Sequence, residues 1–277
     1  MGAYQAGVLR ALHQAGIEFD VISATSIGTI NAAAWNIPDV IENLGEHWLE
    51  NVSDLKPFSP DRLLRGRNPF QFHKALERLV DRYRVLYPFD NQRAEVLVTV
   101  TDYDASTLKV FSMADQSLTQ EERELSLKAS TAILHIGSTP VDICGKRYFD
   151  GGYHRNVPLE PLLERDLDEI WVVPLTPVRG CFGSNHRRRF NVKPLQQVLP
   201  FAYTHSLLGF AGQLLSPPDM ERGRARKIII SPYRSGAFRP SGLGQALLFS
   251  PANIRTLLDF GWRDGQRAVA AYLSRQS

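Results

Sequence analysis

Two short stretches of this chain carry residue types suited to covalent chemistry. Ser26 lies in Phe19-Asp20-Val21-Ile22-Ser23-Ala24-Thr25-Ser26-Ile27-Gly28-Thr29-Ile30-Asn31, followed by Ala32, Ala33 and Ala34. An apolar run, then small residues, then an alanine-rich stretch predict a strand, a sharp turn and a helix, with Ser26 at the helix start. A serine placed there exposes its Oγ beside backbone N–H groups that favour an anion. Far downstream stands Tyr148-Phe149-Asp150-Gly151-Gly152. A neutral hydroxyl is a weak nucleophile and needs a base within reach and a site for the oxyanion formed on attack. The helix start supplies partial positive charge for that oxyanion. Asp150 is the candidate base, and the two glycines after it leave room for a substrate. Gly28 is expected to let the helix pack closely. Asp-Gly-Gly alone is an ordinary turn sequence, and Ser-x-Gly alone is equally weak. The two together, in a strand–turn–helix setting, point to a serine hydrolase with a carboxylate base.

The elements that must position these residues follow from periodicity. Residues 2–15 read as a helix with Val8, Leu9, Leu12 and Ala15 on one face and Gly16 just past its end. Residues 17–23 read as a buried strand, and a helix follows Ser26 to about Asn36. Residues 51–70, with Pro57, Pro60 and Pro69, read as loop, and 71–85 as an amphipathic helix bearing Phe72, Leu76, Leu79, Val80 and Tyr83. Residues 95–101 and 107–112 are strands joined by a polar turn. Thr119 and Glu122 form a capping box that opens a helix to about Ser130. A hairpin around Gly145 ends at Asp150, Pro158 opens a short helix, and 169–175 and 227–231 are strands. The last helix covers 251–274. Strands alternating with helices imply an α/β layered domain.

The chain has 277 residues, 43% of them hydrophobic and 22% charged, with a net charge of +3. That is enough for one large domain with a substantial core. The mild basicity permits contact with anionic surfaces without implying nucleic acid. Cys144 and Cys181 lack metal-ligand spacing, no apolar run spans a bilayer, and Met1 leads straight into a helical pattern, so a cytoplasmic location is expected. His154 and His205 make an order of Ser26, Asp150 and His205 formally available. It is disfavoured because the α/β-hydrolase arrangement needs several strands before its nucleophile. Asp102 and Asp104 fall at a turn, where aspartate serves the backbone. The basic residues His186, Arg187, Arg188 and Arg189, and Arg222, Arg224, Arg226 and Lys227, flank an apolar stretch at 195–215. They are solvated faces or a peripheral contact for an anionic membrane surface.

These stretches resemble the patatin-like phospholipases. The segment from Gly2 to Leu9 looks like the family's first helix, and that from Asp20 to Gly28 like its nucleophile elbow. Ala129-Ser130-Thr131-Ala132 and Pro140-Val141 resemble the approach to its aspartate. Asp150-Gly151-Gly152 with Asn156-Val157-Pro158 resembles its aspartate motif, and Phe249-Ser250-Pro251 with the helix through Gly261 its closing segment. The likeness is faint from about 177 to 245. The resemblance implies a single domain over 1–277 with a three-layer α/β/α sandwich and a central, mostly parallel sheet. Residues 177–245 would form a variable, lid-like region or substrate wall. It implies a Ser26–Asp150 dyad without histidine, an acyl-enzyme on Ser26, and a lipid ester as substrate, with no metal or organic cofactor.

Two departures from the family pattern shape the expectation. Ala24 stands where the family usually has glycine, which is tolerable only at negative φ. Of the glycine-rich oxyanion loop only its last glycine, Gly2, is present, with Met1 at the basic position. The expectation is therefore a start placed too late or a fragment, with Gly2 and Ile27 as the remaining oxyanion donors. The alternative function is a patatin-fold lipid-surface binding protein with weak or no catalysis.

Overall fold

The computed structural model describes residues 2–52, 72–134, 138–175, 222–232 and 250–275. The predicted loop at 51–70 lies mainly outside them. So do nearly all of the lid-like region, Cys181, His186 to Arg189, the apolar stretch 195–215, His205 and Phe249. The first helix, α1, spans Gly2–Gln14, and the chain reverses at Gly16, whose φ of 71° suits glycine. Strand β1 (Val21–Thr25) follows, then α2 (Ile27–Trp35), α3 (Pro38–Glu42), α4 (Leu44–Val52) and α5 (Phe72–Leu86). Strands β2 (Glu95–Asp102) and β3 (Leu108–Ser112) precede α6 (Gln120–Ser130). The Thr119–Glu122 capping box is complete in both directions, and it fixes where α6 begins. Strands β4 (Val141–Ile143) and β5 (Lys146–Asp150) run into a 3-10 turn at Gly151–Tyr153 and then α7 (Glu160–Leu163). Strands β6 (Glu169–Val172) and β7 (Arg226–Ile229) and helix α8 (Pro251–Leu273) complete the order.

The fold is α/β, but the sheet is mixed rather than mostly parallel. β1 and β2 pair in parallel, while β2–β3, β2–β5 and β4–β5 are antiparallel. Strands joined by a short turn, as at residues 103–107 and 144–145, can only pair antiparallel, whereas a parallel neighbour needs a long crossover. The parallel pair β1–β2 has that crossover in α2 to α5. β6 and β7 form a separate parallel pair. A cavity of about 490 Å³, lined by Val21, Ile22, Ser23, Glu169, Ile170 and Trp171 among others, separates this pair from β1.

The main core gathers Tyr4, Val8 and Leu12 of α1, Ile30 and Trp35 of α2, Val96, Val98 and Val100 of β2, and Ile254 and Leu257 of α8. α1 and α8 meet backbone to backbone. A Cβ on Gly7 would lie 2.1 Å from the Leu258 carbonyl oxygen, and one on Gly261 would lie 1.9 Å from that of Tyr4. Gly265 brings the same seam against Ala11, and the Tyr4 hydroxyl donates to Asp264 Oδ2 at 2.9 Å. Among the described residues no helix is long and apolar enough to cross a membrane.

Candidate active site

The sheet register explains how residues 124 positions apart in sequence come together. On β2, Thr99 pairs with Thr25 of β1 and Val100 pairs with Asp150 of β5. β3 overlaps both partners along β2, so it takes the opposite edge. β1 and β5 therefore share one edge of β2 and meet end to end. Ser26 follows the last residue of β1, and Asp150 is the last residue of β5. Gly151 and Gly152 turn the chain back across this junction. A Cβ on Gly151 would lie 2.5 Å from the Thr99 carbonyl oxygen, so only glycine fits there. The turn is also held by Asp150 Oδ1, which accepts from the Gly152 amide at 2.7 Å.

Ser26 is the N-cap of α2 with φ 54° and ψ −130°, a left-handed conformation that a side-chain-bearing residue adopts only under constraint. Three buried polar residues supply the constraint. The Ser26 amide donates to Ser130 Oγ at 2.9 Å, and the Thr29 hydroxyl donates to the Ser26 carbonyl at 2.7 Å. Ser130 donates in turn to the Thr99 carbonyl at 2.8 Å, and Thr99 Oγ1 donates to the Ala24 carbonyl at 2.8 Å. Thr99 Oγ1 also contacts Thr25 Oγ1. The elbow is thus clamped from β2 and from the end of α6. Ser130 is visible in sequence only within the stretch that resembles the approach to the family's aspartate, and Thr99 only as one of several polar residues, with Thr101, in a strand rich in valine. A buried hydroxyl in such a strand needs a partner, and that was the available signal.

Asp150 is 1% exposed. Burial pushes its carboxyl up to about 7, against the smaller opposing effects of the Ser26 hydroxyl and the Gly152 amide. Ser26 is near enough to favour the carboxylate, yet no hydrogen bond of ordinary geometry joins the two, and Asp150 Oδ2 is buried and unpartnered. Pairs of this kind are often long before a substrate tightens them. Asn156 Nδ2 and Ser23 Oγ are also buried without partners.

Gly2 sits against the start of α2: a Cβ on it would lie 2.4 Å from Ile27 Cγ1 and 2.5 Å from Trp48 Cη2. Its carbonyl accepts from Asn31 Nδ2 at 3.0 Å, and Asn31 Oδ1 accepts from Trp48 Nε1 at 3.0 Å. Gly2 and Ile27 are thereby neighbours beside Ser26. Ala24 lies within β1 opposite Val98 and outside the left-handed region, so its methyl imposes no strain. Gly28 differs from expectation. The nearest atom to an added Cβ there is Gln5 Oε1 at 3.7 Å, so close packing does not require glycine.

None of the described histidine side chains hydrogen-bonds to Ser26 or Asp150. His154 is held by the Ser106 carbonyl, and burial lowers its pKa. His13 lies against Arg93 and Trp35, and His47 against Tyr83. Asp102 Oδ1 accepts from the amides of Asp104 and Ala105, a turn-forming role. Of the second basic group, Arg226 pairs with Glu169, and Lys227 donates to the carbonyls of Arg222 and Gly223. Among the described residues no cluster of three His, Cys, Asp or Glu side chains could hold a metal ion.

No curated protein matches the chain. The family model of the patatin-like phospholipases matches residues 1–163, a span that contains the elbow, the clamp and the aspartate turn. That family is one of lipid acyl hydrolases, and this chain belongs to it.

Proposed function

We propose that the protein is a serine acyl hydrolase acting on carboxylic esters of lipids, of phospholipase A or lysophospholipase type. The observation that carries this reading is the strained Ser26 held on the same edge of β2 as the buried Asp150. Ser26 Oγ attacks the ester carbonyl carbon while Asp150 takes the hydroxyl proton. The carbonyl oxygen becomes an oxyanion at the start of α2, where the amides of Gly2 and Ile27 and the helix dipole stabilise it. Collapse expels the alcohol portion, which receives the proton from Asp150, and leaves an acyl-enzyme on Ser26. Water then releases the fatty acid. The raised pKa of Asp150 suits the role, since a base near neutrality both accepts and returns a proton readily. No step draws on a metal or organic cofactor. The docking surface for an anionic membrane would include the exposed Arg222 and Arg224.

Labelling by a fluorophosphonate, mapped by mass spectrometry, tests the reading. Ser26 is expected to be modified in the wild type and not in Asp150→Asn. Ser26→Ala should lower ester hydrolysis by about a thousandfold or more with no loss of thermal stability. Labelling at a different serine, or turnover retained in Ser26→Ala, would overturn the assignment.

A further inference from the structure

Two complementary buried groups flank the same glycine beside Ser26. The Cβ position of Gly152 lies 2.9 Å from Asn156 Oδ1 and 2.9 Å from Asp150 Oδ1. Each of these side chains carries a second polar atom withdrawn from solvent and without a partner: Asn156 Nδ2, a donor, and Asp150 Oδ2, an acceptor. Leaving such an atom unpaired costs about 1–3 kcal/mol, and native folds rarely tolerate it without a role. Asn156 also lines a cavity of about 130 Å³ that reaches Thr25 and Gly28, on either side of Ser26, while Ser26 and Asp150 themselves stand outside its lining. That space is sufficient for a few water molecules. Asn156 is not held away from the cavity by another contact through Nδ2.

We propose that Asn156 is the residue that places the hydrolytic water of deacylation. This inference rests on the dyad described above. Asn156 Nδ2 donates to the water oxygen, and one water proton points to Asp150 Oδ2. The water oxygen forms a bond to the acyl carbon on Ser26 as its proton passes to Asp150. The tetrahedral intermediate then collapses by breaking the bond from that carbon to Ser26 Oγ. Asp150 returns the proton to Oγ, and the free carboxylic acid leaves. The first half-reaction needs no water, so Asn156 serves the second half-reaction alone. One residue thereby separates acyl transfer to water from acylation of Ser26.

The test uses the full chain with p-nitrophenyl butyrate as probe. In Asn156→Ala and in the similarly sized, uncharged Asn156→Leu, kcat should fall on the order of tenfold to a hundredfold with a parallel fall in KM, so that kcat/KM changes little. A burst of nitrophenol should appear, and the butyryl adduct on Ser26 should accumulate in the intact mass spectrum. Fluorophosphonate labelling of Ser26 should keep its wild-type rate, because the acylation machinery and the fold are intact. Normal labelling without burst or adduct, or a fall in kcat/KM that matches the fall in kcat, would overturn the role of Asn156 while leaving the dyad standing. Loss of labelling in both variants would make Asn156 part of the acylation step or the fold, which also overturns it. No labelling of the wild type would overturn the dyad itself, and the inference with it.

Discussion

The elbow and the α1–α8 seam are built on opposite principles. In the seam, backbones touch through Gly7, Gly261 and Gly265, and the buried Tyr4 hydroxyl has its acceptor in Asp264. At the elbow, Ser26 is forced to a φ of 54°, and Asp150 Oδ2, Asn156 Nδ2 and Ser23 Oγ are buried without partners. Backbone strain of that kind costs about 1–3 kcal/mol, and orphaned polar atoms add to it. The seam contributes stability by close packing, and the site draws on it. The two regions are joined physically, since α1 carries both seam residues and Gly2, which rests on Ile27.

The largest stability effect is expected in the seam. Gly261→Ala places a methyl against the Tyr4 backbone, which cannot yield as a flexible side chain would. A loss of about 3 kcal/mol is expected, read as a fall in Tm on the order of 10 °C. Activity should fall with it because α1 shifts. A stable, fully active variant would break the idea that the seam supports the site.

A smaller effect separates the two regions by pH. The folded state holds the Asp150 proton up to about 7, against an ordinary value of 3.8. Between those values the folded chain binds more protons than the unfolded chain, so Asp150 makes stability decline as pH rises, levelling off above about 7. In the proposed dyad the base is the carboxylate, so kcat/KM should rise through the upper part of the same window. Asp150→Asn should remove this part of the decline in denaturant unfolding curves. An unchanged slope would mean that Asp150 does not titrate there.

The smallest stability effect, at Gly28, tests where glycine is required. Gly28→Ala would meet only ordinary contacts, at 3.7 Å and beyond, and has no positive φ, so stability should rise by about 0.5 kcal/mol with activity unchanged. Gly151→Ala has the Thr99 carbonyl in its way and should lose activity outright. Similar behaviour of the two variants would erase the distinction drawn between the glycines of the elbow and of the aspartate turn.

Much of the local structure was readable because it rests on short-range chemistry. The capping box at Thr119, the reversal at Gly16 and the hairpin at Gly145 are all set by residues within a few positions of one another. β1 begins four residues later than periodicity indicated. Ile17 and Phe19 are apolar because they pack against the core from a connecting segment, which a strand pattern cannot distinguish. Periodicity alone marks neither α3 nor α4, although Pro38 in a first helical turn is a signal for α3. Ser26 and Asp150 were legible as motifs, but the register that joins them was not. Which edge of β2 each strand takes depends on long-range pairing. The clamp of Ser130, Thr29 and Thr99, and the placement of Asn156, depend on the same register.

The seam also sets an order of events for the nascent chain. Tyr4 and Asp264 are 260 positions apart, so α1 cannot complete its packing until α8 has been made. Closing so long a loop comes late and slowly. Gly2 and Gln5, both on α1, rest against α2 beside the elbow, so the seam and the elbow share this helix. In the folded chain the surroundings of the elbow are therefore complete only once α8 is docked on α1.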